Sequence, residues 1–192
     1  MSVPTREEAL ALLREYNKEE WHIRHALAVE AAMRHFATYL GQGEEEKWAV
    51  VGLLHDIDFE QFPEEHCAKA QEILTGRGID EGVVRAVVSH GWGLVCDVKP
   101  EHTMEKVLYT IDELTGIIAA AVAVRPSRSI LDLELSSVKK KFKQPSFAAG
   151  CSRKVIEDGA AMLGLPLDTI IEQTILGMRS QAAELGLQGN LS

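Results

Sequence analysis

The chain has 192 residues and a formal net charge of -9, so its length suits one domain with room for a real core, and its acidity excludes a broad nucleic-acid-binding surface. Three widely spaced cysteines, Cys67, Cys96 and Cys151, form no CxxC pair, which argues against a disulfide framework or a thiolate zinc site and for a reduced, cytoplasmic protein. Residues Met1 to Glu8 carry no signal-peptide core, and the longest apolar stretch, Ile117 to Val124, is too short to span a bilayer, so no membrane partner is expected.

In chain order the pattern is helical throughout. Thr5 with Glu8 three residues on forms a capping box for a first helix carrying Leu10, Leu13 and Tyr16. A second helix spans about Glu19 to Leu40, with Ile23, Leu27, Ala31 and Tyr39 as its stripe, and Gly41-Gln42-Gly43 stops it. A third, about Glu44 to Asp56, contains the apolar run Trp48 to Leu54. After a loop at Phe59 to Pro63, Pro63 with Glu64 and Glu65 suits a helix start, with His66 in the first turn and Cys67, Ala70, Ile73 and Leu74 as the buried stripe. Asp80 caps the next helix, whose Val83, Val84, Val87 and Val88 point inward and which breaks after His90 at Gly91-Trp92-Gly93. A long helix follows from about His102 to Val124, with Met104, Val107, Leu108, Ile111, Leu114 and Ile118 as its core face and Asp112 in the middle of it. Beyond Pro126, Leu131, Leu135, Val138 and Phe142 recur at helical spacing beside Lys139, Lys140, Lys141 and Lys143. Pro145 interrupts; Ser152 caps a short helix ending at Gly164, and Pro166 with Asp168 opens a last one through Met178. No stretch reads as a strand, so the expected class is all-α, a compact multi-helix bundle.

His55-Asp56 ends the apolar run of the third helix. Such residues are costly to bury without a partner, and imidazole nitrogen with carboxylate oxygen suits a divalent cation. A lone histidine on a helix is most often a hydrogen-bonded core or surface residue. A carboxylate at mid-helix on an apolar face, as at Asp112, is rarer and needs a cation, a donor network or water. Further ligands are available from other helices: His25 earlier, and His66, His90 and Asp112 later.

The ordered set of His25, His55-Asp56, His66, His90 and Asp112 resembles the HD-domain superfamily of metal-dependent phosphohydrolases. The segment Ala49 to Ile57 is similar to the apolar run and signature of its HDIG subgroup. His66 to Leu74 and Val87 to His90 resemble its intermediate histidine segments, and Tyr109 to Leu114 its closing one. The resemblance covers about half the chain. It implies one HD-type domain over residues 1–192, with a core at about 19–125 and a C-terminal helical extension at about 126–192. It further implies one metal held by His25, His55, Asp56 and Asp112, and a second held by His66 and His90 with Asp56 as bridge. Two departures stand out: Asp58 occupies the glycine position of HDIG, and the GYP motif of the cyclic-dinucleotide phosphodiesterase branch is absent. His22 competes with His25 for the first position. Arg24-His25-Ala26-Leu27 better resembles the family's first segment, which leaves His22 structural and His35 and His102 as surface or loop residues.

The expected activity is therefore hydrolysis of a small phosphate ester, a nucleotide among the options, by water activated on one or two ions of Mn, Fe, Co, Ni, Zn or Mg. Asp56, Asp58 and Arg24 are the candidate catalytic residues, with Asp58 either a proton relay or a loop carboxylate facing solvent. Phosphate contacts are expected from the basic second half of the chain, at Lys140, Lys143, Arg153 and Arg125, and a stacking contact from Trp92. The sequence is compatible with a homodimer. Two other classes stay open: a non-catalytic ligand-binding or sensory module, and a di-iron oxygenase of the same superfamily.

Overall fold

A computed structural model describes residues 1–190. Among them the chain forms nine helices and no strand: α1 (Arg6–Tyr16), α2 (Glu20–Tyr39), α3 (Glu45–Leu54), α4 (Ala68–Gly76), α5 (Glu81–Ser89), α6 (Thr103–Ala123), α7 (Leu135–Phe142), α8 (Arg153–Leu163) and α9 (Leu167–Ser180). The class is all-α, and none of these helices is long and apolar enough to cross a membrane.

The bundle is arranged around α2, which packs against α3, α6 and α9. Alanines at 26, 28, 31, 32 and 37 of α2 are buried, and their short side chains let neighbouring helices come close. The closest approach is to α3. A Cβ built on Gly52 would lie 2.9 Å from the backbone of Val29 and Glu30, so only glycine fits there. Residues Trp48 to Leu54 are all buried, as expected of a helix that is apolar on every side. The remainder of α2 is anchored by charge: buried Glu30 pairs with Arg6 of α1, which also reaches Glu184 at 2.7 Å.

The helix signals of the sequence recur as caps. Thr5 and Glu8 form the capping box, Asp80 accepts from Gly82 and Val83, Ser152 accepts from Val155, and Gly164 takes the left-handed conformation after α8. Three expectations are corrected. His66 is not in the first turn of a helix: Pro63–Glu65 form an isolated 3-10 turn, the chain breaks at Cys67 (φ 68°), and α4 begins at Ala68. The break follows from capping, since Cys67 offers no side-chain cap and the Ala70 N–H donates instead to Asp58, 2.9 Å away in an earlier turn. Leu131 is exposed and lies ahead of α7; its stretch is tied to other elements, with Arg179 donating to the carbonyls of Ile130 and Leu133. Tyr39 is exposed rather than part of the α2 stripe.

Gly52→Ala should destabilise the fold by about 1–3 kcal/mol, because three backbone atoms of the facing helix must move to admit one methyl group. Chemical denaturation with unchanged m-value would measure it; a loss below a few tenths of a kcal/mol would refute the close contact.

Candidate metal centre

Two helices end on the histidines of interest. α3 stops at Leu54 and α5 at Ser89, so that His55 and His90 are their C-caps. At such an end the last carbonyls lack intrahelical donors. In both helices the histidine Nδ1–H donates three residues back, His55 to the Gly52 carbonyl at 2.7 Å and His90 to the Val87 carbonyl, which also accepts from the His90 backbone N–H. The same bond fixes each ring and leaves the Nε2 lone pair facing away from the helix. His66 is held differently. Its Nδ1–H donates to Asp58 Oδ1 at 2.8 Å, again turning Nε2 outward. The turn after α3 is pinned by buried Asn17, which donates to the Ile57 carbonyl at 2.9 Å.

These Nε2 atoms converge on Asp56. Its Oδ2 lies 3.3 Å from His55 Nε2 and 3.6 Å from His25 Nε2. Its Oδ1 lies 3.4 Å from both His66 Nε2 and His90 Nε2, which are 3.2 Å from each other. Asp112 Oδ1, from α6, completes the first group at 2.9 Å from His25 and 3.3 Å from His55. Donor atoms about 2.1 Å from a common centre stand about 3.0 Å apart on adjacent octahedral corners and about 3.4 Å apart in a tetrahedron. The observed spacings fall in and around that range. His25, His55, Asp56 and Asp112 thus form a group that could hold a metal ion, and His66, Cys67 and His90 form a second such group.

The electrostatics agree with the geometry. Burial acts to lower the pKa of His55, but the carboxylates of Asp56 and Asp112 overcome it and raise it well above the ordinary histidine value. His90 is raised too, with burial opposed chiefly by Asp56. Burial would raise Asp56 and Asp112, yet the facing imidazoles hold both far below the usual carboxylate range. The cluster therefore favours positive charge.

The centre opens into a cavity of about 350 Å³. One wall is a polar stripe on α6, Tyr109, Asp112, Glu113 and Gly116, at the i, i+3, i+4, i+7 spacing of a helix face. Glu113 was not singled out in the sequence, although this spacing from Asp112 and Tyr109 was there to be read. Burial, helped by Asp112, raises its carboxyl pKa, and it accepts from the Ser152 N–H at the start of α8. Gly150 and Cys151 close the other side.

None of the remaining expected site residues lines this cavity. Asp58 is fully buried, so it neither faces solvent nor touches the cavity; its two oxygens are taken by His66 and the Ala70 N–H. Arg153 does not reach for a ligand, because its guanidinium donates to the carbonyls of Phe142, Gln144, Phe147, Ala148 and Cys151 and shapes the loop bearing Gly150. Arg125 pairs with Asp132 at 2.8 Å. Lys140 and Lys143 lie at the end of α7, away from the cavity lining. Trp92 stands behind the wall, 5.8 Å from the Tyr109 ring. Arg24 is exposed and borders a neighbouring cleft. His22 stacks on Trp21, His35 bonds to Gln173 of α9, and His102 caps α6. Comparison with family models, curated proteins and solved structures found no match for this chain.

Two outcomes test the site. Asp58→Ala should weaken metal binding by about 10–100-fold, as loss of a carboxylate behind a ligating histidine does, and Asp58→Asn by less. Competition with a chromophoric chelator would measure this, and unchanged affinity in Asp58→Ala would refute the orienting role. The second outcome concerns pH. His55 and His90 have raised pKa values, so their protonated forms stabilise the metal-free fold at low pH, and that contribution fades as pH rises through the raised values. A metal must displace those protons. Its effect on Tm should therefore grow as pH rises from the ordinary histidine value, about 6.5, towards the raised ones; a metal-induced shift that is flat or falls as pH rises above about 6.5 would contradict the assignment.

Proposed function

We propose that this chain is a metal-dependent phosphohydrolase of the HD type, acting on a small phosphate ester at a two-metal centre. The observation that carries the reading is the placement of Asp56: one carboxylate oxygen faces His25 and His55, the other faces His66 and His90. A ligand set split in this way across one carboxylate suits two adjacent cations, and a purely structural site has no need of the second. Bound cations would supply a water of lowered pKa and neutralise charge on the phosphoryl group.

The protein's own residues would divide the remaining work. His55 and His90, locked by the carbonyls of Gly52 and Val87, keep the ligand geometry fixed without reorganisation. Asp58 holds His66 in the tautomer that presents Nε2. Glu113, with its raised pKa and its place on the cavity wall, is suited to giving a proton to the departing alcohol oxygen. No lysine or arginine lines this cavity, so a compact ester with one phosphoryl group fits it better than a polyphosphate chain.

That cation-free lining also favours a second reading, an iron-dependent oxygenase, since imidazole-rich ligation suits iron. Elemental analysis with parallel assays for phosphate release and oxygen consumption separates the two. The hydrolase reading expects phosphate release that a chelator abolishes and that Asp56→Ala lowers about 10³-fold or more, the scale of losing a principal charge-stabilising group. Metal content in Asp56→Ala equal to that of the wild type, or oxygen uptake without phosphate release, would overturn it.

A further inference from the structure

The metal ligands face a second space besides the cavity already described. A cleft of about 430 Å³, in the size range of small-ligand sites, shares His25, Asp56, Phe59, Gly116 and Cys151 with the first cavity, so the two meet across the ligand cage. Its character is different. Met178, Leu185 and Leu187 from α9 and the segment after it form an apolar wall, and Ala28 and Ala119 add small apolar surface from α2 and α6. Trp21 stands at its edge with 60% of its surface exposed. One face of that indole is stacked on His22, centroids 3.4 Å apart, and Phe59 lies beyond His22. Large aromatic surface left in water beside an apolar cleft is costly unless something covers it. The one cation among the residues lining either space is Arg24, whose guanidinium lies over Gly186. Arg6, Arg34, Arg77, Arg85 and Arg125 are all taken up by carboxylates, and among the described residues none pairs with Arg24.

We propose that this cleft is the subsite for an aromatic group carried by the substrate, stacked on Trp21, with the phosphoryl group at the metal ligands. The proposal rests on the hydrolase reading for the position of the phosphoryl group, and it assigns the substrate class: a phosphate monoester of an alcohol that bears a flat ring system. The join between the spaces runs past His25 and Asp56, so such an ester spans from cage to cleft. An aliphatic ester of the same charge fills only the first cavity and leaves Trp21 in water. Ring stacking on an indole adds to the area it buries, which sets the expected preference at about tenfold or more.

The test uses binding without turnover. Protein loaded with manganese is titrated calorimetrically with 1-naphthylmethylphosphonate and with methylphosphonate, which share a head group and differ in the ring. The naphthyl compound should bind about tenfold tighter or better. Trp21→Ala, at an exposed position, should remove most of that preference and leave methylphosphonate within about twofold, and Trp21→Phe should retain part of it. Equal affinities in the wild type, a preference that survives in Trp21→Ala, or no binding of either compound would overturn the subsite. Parallel assays with naphthyl phosphate and glycerol phosphate separate this outcome from the fate of the hydrolase reading. Hydrolysis of both esters at equal kcat/KM sinks the subsite and leaves the hydrolase. A Trp21-dependent preference in binding with no hydrolysis sinks the hydrolase and leaves the subsite.

Discussion

Four histidine Nε2 atoms and three carboxylate oxygens meet around Asp56, and no lysine or arginine lines the space they face. Three of those nitrogens, on His55, His66 and His90, carry lone pairs because a carbonyl or carboxylate holds the proton on the other side of the ring. Acceptors 3.2–3.4 Å apart repel one another until a positive charge is placed among them. Protons can supply that charge, which is why His55 and His90 hold theirs so strongly, but a proton bridges two atoms whereas a metal ion bridges four or more. The demand for a central cation organises everything near it.

Two helices contribute through their ends, α3 with His55 and α5 with His90, and two through their interiors, α2 with His25 and α6 with Asp112. α3 and α5 terminate on a histidine of the cage, and the same imidazole donates to a carbonyl in the last turn of its own helix. Asp58 combines two tasks in the same way, serving α4 as the cap it lacks while orienting His66. Gly52 lets α3 lie directly on α2, which brings His55 toward His25 on the neighbouring helix. Stability and ligand geometry are therefore set by the same bonds, and disturbing one disturbs the other.

Much of this was legible in the sequence because it rests on local chemistry. Caps at Thr5, Asp80 and Ser152, the apolar period of α6, and the mid-helix carboxylate at Asp112 each carry their meaning within one or two turns of chain. What was not legible depends on distant partners. A charge is readable in a sequence, but its partner is not. Arg153 and the lysines of α7 looked like phosphate contacts because they are basic; the loop carbonyls that occupy Arg153 are visible only once the chain is folded. Asp58 looked like a proton relay or a loop carboxylate in water for the same reason. The break at Cys67 also escaped notice, since a non-glycine residue with positive φ leaves no mark in the pattern of hydrophobicity. Glu113 is the opposite case, a residue whose spacing from Tyr109 and Asp112 is readable in the sequence and places it on the same wall.

The single guanidinium of Arg153 gathers five carbonyls from the stretch between Phe142 and Cys151, and that stretch supplies a wall of the cavity yet no ligand to the cage. All the histidines and aspartates that could hold an ion come from residues 25 to 112. The coding of ion retention is thereby separated from the coding of what the cavity admits. Over generations the stretch pinned by Arg153 and the segment after α9 can be rewritten while the groups that could hold an ion stay as they are, so that descendants of one ancestor differ in what the cavity admits.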